Sequence, residues 1–266
     1  MILLSFDIEE FDMPFEYGKA IQFSDQLSIS TAGTLSILNI LRNAGIKATF
    51  YCTANYAQHQ PEIVMQIVKE GHELASHGYY HSDFKPEHLL QSKLKLEEIS
   101  GQIIKGYRMA RMMPVDEQEI ARAGYIYNSS INPTWLPGRY NNFSKPRRWF
   151  YHHNMLQLPS SVSPVVRFPL FWLSFHNLPM GLLKWLSSVT HRKDGYLSLY
   201  FHPWEFTDLN QPERFGFPSY VVKNSGEPFI TRLTEFIAWA KTKGYSFSCT
   251  GDFAEKVNLL KGEGCL

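Results

Sequence analysis

Short apolar runs alternate with amphipathic helical segments along most of the chain, and this rhythm constrains the fold more than any other feature. Residues 2–6, Ile-Leu-Leu-Ser-Phe, read as a strand covered on both faces, where apolar residues need not alternate with polar ones. Ser30 or Thr31 is placed to cap a helix carrying Leu35, Leu38 and Leu41, which Gly45 ends. Residues 47–52 form a second apolar strand. Pro61 opens a helix with Ile63, Ile67 and Val68 that stops at Gly71, and 72–76 form a third strand. Pro86 opens a long helix bearing Leu89, Leu90, Leu94 and Leu96. A short strand at 105–108, a short helix at 116–123 closed by Gly124, and a strand at 125–127 follow. Residues 128–149, rich in Pro, Gly, Asn and Arg, read largely as loop. A strand at 195–201, a helix at 228–243, a strand at 245–248 and a helix from Asp252 complete the series.

Strands separated by helices imply a parallel sheet with the helices outside it. About seven such units favour an α/β fold closed into a distorted (β/α) barrel, and 266 residues suit that architecture, which typically takes about 250. With no linker or low-complexity stretch, residues 1–266 read as one catalytic domain. In such a fold, functional groups belong at the carboxyl ends of the strands, where the loops converge.

Three places meet that condition. Asp7 and Glu9 leave the first strand two positions apart, so their carboxylates share a face while Ile8 points away; one can bind a cation while the other takes a proton. Glu10 and Asp12 extend the acidic cluster, and only the strand period favours Glu9 over Glu10. His77 and His81 follow the third strand at a spacing that puts both imidazoles on one side of a helical turn, as a divalent ion accepts. With one carboxylate they leave coordination positions open, as a catalytic Zn²⁺ or similar ion requires. His202 ends the strand at 195–201 and is held by Pro203, a suitable place for a general acid. Arg108 and Asn128 end two other short strands, where either could contact a carboxylate.

With these residues in view, the chain resembles the polysaccharide deacetylases, the NodB-homology or family-4 carbohydrate esterases, and looks closest to the branch associated with bacterial exopolysaccharide systems. The segments carrying the resemblance are Ser-Phe-Asp-Ile-Glu9, Ser-His-Gly-Tyr-Tyr-His81, Gly-Tyr-Arg108, Tyr-Asn-Ser-Ser130 and His-Pro-Trp-Glu-Phe206, in that order. The resemblance implies a distorted barrel of seven strands and a bound divalent metal, Zn²⁺ first. It implies Glu9, His77 and His81 as metal ligands, Asp7 as general base, His202 as general acid and Arg108 as the group that orients the base. Tyr51, through its backbone, and Asn128 and Trp204 are the candidates for substrate contact. Two departures stand out. Arg108 is followed by Met-Ala-Arg111 where the family has a small residue and proline, and Asn128 stands where an aspartate is usual. Loss of that charge is expected to loosen the pairing around Arg108.

The implied reaction is hydrolysis of the N-acetyl group of an N-acetylhexosamine in a polysaccharide or its lipid-linked precursor. Deformylation or another small-amide hydrolysis, and a catalytically weak glycan-binding descendant, stay open. Net charge is +1 with no basic or acidic block, which points away from nucleic acid. Three cysteines (Cys52, Cys249 and Cys265) in no paired spacing fit a reducing compartment. No leader pattern and no run of about 20 apolar residues is seen, so the expected location is cytoplasmic. The aromatic stretch 168–175, with Leu182 to Leu186, leaves open a lipid-linked substrate and peripheral contact at the inner face of the membrane.

Overall fold

A computed structural model describes residues 1–262. Its frame is an eight-stranded sheet ordered β10-β1-β2-β3-β4-β5-β9-β8. The strands are β1 (Ile2–Ile8), β2 (Thr49–Cys52), β3 (Glu73–Ser76), β4 (Gly106–Tyr107), β5 (Tyr127–Asn128), β6 (Trp135–Leu136), β7 (Tyr140–Asn141), β8 (Phe150–His152), β9 (Met155–Gln157) and β10 (Leu197–Phe201). Seven of the eight in the main sheet run parallel; β8 is an antiparallel edge paired with β9, and β6 and β7 form a separate hairpin. The sheet curls until the chain after β9 reaches β10, where Ser161 N donates to Ser198 O at 2.8 Å. This is the distorted barrel that the rhythm of the sequence implied.

Strand β1 shows why the barrel closes around chemistry. All seven of its residues are buried. Leu4, Phe6 and Ile8 pack into the outer core with Ile37, Leu38 and Phe50, each such side chain contributing about 1.5–3 kcal/mol when fully buried. The intervening Ser5 and Asp7 turn inward, and both accept hydrogen bonds from Arg108.

The helices on the site's side are α1 (Phe23–Ala44), α2 (Ala54–His59), α3 (Pro61–Lys69) and α4 (Glu87–Ser100). Helix α1 begins seven residues before Ser30, after Gln22, so neither Ser30 nor Thr31 caps it. Both hydroxyls serve tertiary contacts instead: Ser30 Oγ donates to Glu9 O at 2.6 Å, and Thr31 bonds the Tyr56 hydroxyl. Gly45, left-handed at φ 63°, ends α1 as expected. Helix α2 was not foreseen; Thr53 caps it, accepting from Tyr56 N. The strand expected at 125–127 is shifted to Tyr127–Asn128, and that expected at 245–248 is a single bridge between Phe247 and Ile2. Cys52 and Cys249 are buried free thiols, while Cys265 lies outside the described residues.

Candidate metal centre and active site

Glu9, His77 and His81 each offer one ligand atom, and these atoms lie within 4.8 Å of one another. His77 Nδ1 sits 2.9 Å from Arg108 O, which can only accept, so the proton is on Nδ1 and the Nε2 lone pair points at Glu9 Oε2, 3.2 Å away. His81 repeats the pattern: Nδ1 donates to Asp12 Oδ1 at 2.7 Å and Nε2 lies 2.9 Å from Glu9 Oε2. Three electron-rich atoms facing one point repel unless a proton or a cation lies between them. Histidines fixed through Nδ1 by a carbonyl or carboxylate are the usual outer shell of a metal site. Two imidazole nitrogens and a carboxylate oxygen fit Zn²⁺ or another first-row divalent ion, so the residues fit the implied group. Burial alone would raise Glu9, yet the two histidines hold it well below the usual carboxylate range. His81, which burial would lower, is raised well above its ordinary value by Glu9 and Asp12.

The backbone that achieves this is not the helical turn expected from the four-residue spacing. Residues 77–82 are irregular, and Gly78 takes φ 90°. That bend, rather than a helical repeat, brings the two rings to 6.0 Å between centroids. Glu10 is turned away: its carboxylate accepts from Thr53 Oγ1 at 2.7 Å and from Asn55 Nδ2. The strand period thus separates the two glutamates correctly. Asp12, which fixes His81, was noted in the sequence only as part of an acidic cluster.

Arg108 is almost wholly buried. Its Nη1 donates to Asp7 Oδ1 at 2.6 Å and to Ser5 Oγ at 2.9 Å, its other nitrogens reach Ser129, and its guanidinium lies 3.9 Å from the centre of the Tyr51 ring. This leaves Asp7 Oδ2 as the uncommitted oxygen.

His202 follows β10 and caps a short 3₁₀ turn, Pro203–Phe206. Its Nδ1 lies 2.7 Å from Glu205 Oε1, which also accepts from the His202 backbone N–H at 2.9 Å. Burial would lower His202, but the Glu205 hydrogen bond and charge raise it. Burial pushes Glu205 itself up to about 7 against the pull of His202, so the pair shares a proton near neutrality. Glu205 was missed; its signal was the three-residue spacing of a capping box after the strand. The turn is seated tightly, because a Cβ on Gly33 of α1 would come 1.8 Å from Pro203 O.

Asp7, Glu9, His77, His81, His202 and Trp204 all line one cavity of about 360 Å³. Three sequence candidates do not: Tyr51, Asn128 and Arg108, the last of which acts from behind Asp7. Tyr51 is fully buried within β2, its backbone in the ladder between Asp7 and Ala75, so it supports Arg108 and cannot present its backbone to a substrate. Asn128 alternates away from the site; its amide nitrogen donates to Gln157 Oε1 at 2.9 Å and its oxygen accepts from Ser130. It does not touch Arg108, whose pairing with Asp7 stays intact, so the expected loosening does not occur.

A family model described as Polysaccharide deacetylase matches residues 14–122, a span that contains His77, His81 and Arg108. Residues 14–122 are thus similar to the polysaccharide deacetylase family. A chitooligosaccharide deacetylase from Bradyrhizobium is 30% identical over 78 residues, covering 29% of this chain and 32% of the relative. Alignments to the curated relatives thus span about a third of their length or less. Among solved structures, a Mycobacterium smegmatis protein assigned to the polysaccharide deacetylases matches 98% of this chain and 90% of its own, with TM-score 0.68 and 19% identity. A CE4-family pseudoenzyme from Bacillus anthracis matches 96% of this chain and 65% of its own, with TM-score 0.53 and 11% identity. At these identities the structural matches speak to the fold, and the polysaccharide deacetylase barrel extends over nearly the whole chain.

Proposed function

We propose that this polysaccharide deacetylase homologue acts over residues 1–266 as one catalytic unit that hydrolyses the N-acetyl group of an N-acetylhexosamine. The substrate would be a polysaccharide or its lipid-linked precursor, as in the exopolysaccharide-associated branch. The observation that carries the reading is the convergence, in one cavity, of the Glu9–His77–His81 donor set with Asp7 and His202.

Bound by those three residues, a divalent ion such as Zn²⁺ supplies the Lewis acidity that polarises an amide carbonyl and acidifies water. Asp7 receives the proton of the attacking water at Oδ2, because Oδ1 is held by Arg108. Arg108 orients Asp7 without reaching substrate. His202, tied to Glu205 through Nδ1, presents Nε2 to the cavity, where it donates to the developing oxyanion and then to the departing amine. The amide C–N bond breaks, acetate keeps the water oxygen, and the amine leaves protonated. Trp204 forms part of the cavity wall beside His202, at 4.8 Å between ring centres, which supports a place for it against the substrate. Two buried free thiols support a cytoplasmic setting.

The experiment is acetate release from N-acetylglucosamine oligomers by metal-loaded protein, with formate release from N-formyl analogues measured alongside. Acetate release that chelation abolishes supports the proposal. Faster formate release would move the assignment to a deformylase, and tight oligomer binding without either product to a glycan-binding descendant.

A further inference from the structure

The chain's near-neutral charge conceals an asymmetry. From residue 120 to residue 193 there is no Asp or Glu, while nine Lys or Arg are present; an even spread of the 25 acids would put about seven there. The cations are scattered rather than blocked, so the segment is not a solvated tail. It builds the hairpin β6–β7, the turn at 163–168 and the helices leading to β10.

The exposed apolar residues of this segment gather beside the cavity. Leu136, Pro137, Arg139 and Tyr140 of the hairpin form part of the cavity wall. The same hairpin exposes Trp135 by 62% and leads into the exposed Phe143. Arg167 ties the 163–168 turn to it, donating to Pro133 O at 3.2 Å and Lys145 O at 2.6 Å and lying 5.0 Å from the Phe143 ring centre. At the tip of that turn Val165 and Val166 are 88% and 71% exposed. Val165 also takes φ 68°, a conformation unfavourable for a β-branched side chain. The fold therefore spends backbone strain to hold two valines in water, next to aromatic rings and to Arg139, Lys145 and Arg167.

We infer that this face, the β6–β7 hairpin with the 163–168 turn, docks on an anionic phospholipid bilayer and brings the cavity mouth to the lipid headgroups. Apolar tips enter the interface, while Lys145 and Arg167, which make no ion pair among the described residues, each add about 1 kcal/mol of attraction; Arg139 is already paired with Glu16 at 2.8 Å. Among the described residues no helix is long and apolar enough to cross a membrane, so the contact is peripheral. The inference deepens the lipid-linked reading above, but its test does not depend on turnover.

The test is co-sedimentation of the full chain with vesicles of phosphatidylcholine, with and without about one-third phosphatidylglycerol, at low and high salt. The protein is expected to bind the anionic vesicles, to leave the neutral ones largely free, and to be released as ionic strength rises from about 0.05 to 0.5 M. The variant V165D/V166D should bind about tenfold more weakly, while its urea-unfolding midpoint should be unchanged, which shows that it is folded. No binding to anionic vesicles, equal binding to neutral ones, or undiminished binding by V165D/V166D would each overturn the inference. A wild-type protein that binds vesicles but releases no acyl group would refute the deacetylase reading and leave the docking surface standing.

Discussion

Glu205 Oε1 stands 2.7 Å from His202 Nδ1 and accepts the His202 backbone N–H as well, so one carboxylate oxygen fixes both the ring and the turn that carries it. The second oxygen, Oε2, is buried without a hydrogen-bond partner and lies 3.9 Å from His176 Nε2. All the stabilisation of the carboxylate therefore runs through His202.

Replacing Glu205 by Gln should lower turnover about 10²-fold, the range for loss of acid–base function. The sign of the pH effect follows from the raised His202 value. The acid must be protonated, so activity fails as pH rises through that value, and removing the Glu205 charge moves the failure to lower pH. A pH profile of acetate release by Glu205→Gln checks this; an unmoved alkaline limb would contradict it.

Asp12 holds the outer side of His81, and Arg111 in turn reaches Asp12 at 3.2 Å. Asp12→Ala should weaken metal retention about 10–100-fold with the three ligand residues intact. Competition with a chromophoric chelator measures it, and wild-type affinity in the variant would remove Asp12 from the account.

Arg108 and Asp7 form a buried pair, so removing one partner strands the other. Arg108→Met should cost about 3–5 kcal/mol of stability, read by urea unfolding, as well as activity. The double variant with Asp7→Asn should recover much of the stability and none of the turnover. Recovery of turnover would show that Asp7 is not the base.

How much of this was legible in the sequence depended on which forces set each feature. Asp7 and Glu9 were readable because a period of two is fixed by strand geometry, and β1 is a regular strand. His77 and His81 were readable as a pair but not in conformation, because Gly78 bends the backbone by a route that spacing alone does not reveal. Asn128 was misjudged because being near a strand's end does not say which way a side chain turns, and Tyr51 because its backbone is taken up in the ladder between β1 and β3. Ser30 looks like a cap, yet it lies inside α1 because Glu9 O lies within reach of its hydroxyl, a tertiary contact 21 residues distant. The hairpin β6–β7 was hidden in the loop-like composition of 128–149, its residues partly or fully exposed.

His72 and His176 are buried and neutral, and burial lowers them to about 4 and about 3. Unfolded, each takes a proton near its ordinary value of about 6.5, so the unfolded chain binds more protons below that pH. Stability should be full above about pH 6.5 and fall towards pH 4. His176→Phe should flatten that fall in urea midpoints taken between pH 7.5 and 4.5; an unchanged slope would exclude His176 as its source.

The central claim is that Glu9, His77 and His81 hold one ion that the reaction needs. Its most direct test is metal stoichiometry and acetate release measured together on the wild-type chain and on His77→Ala. The account predicts about one divalent ion per chain with turnover in the first, and neither in the second while it remains folded. Turnover by His77→Ala without bound metal would contradict it.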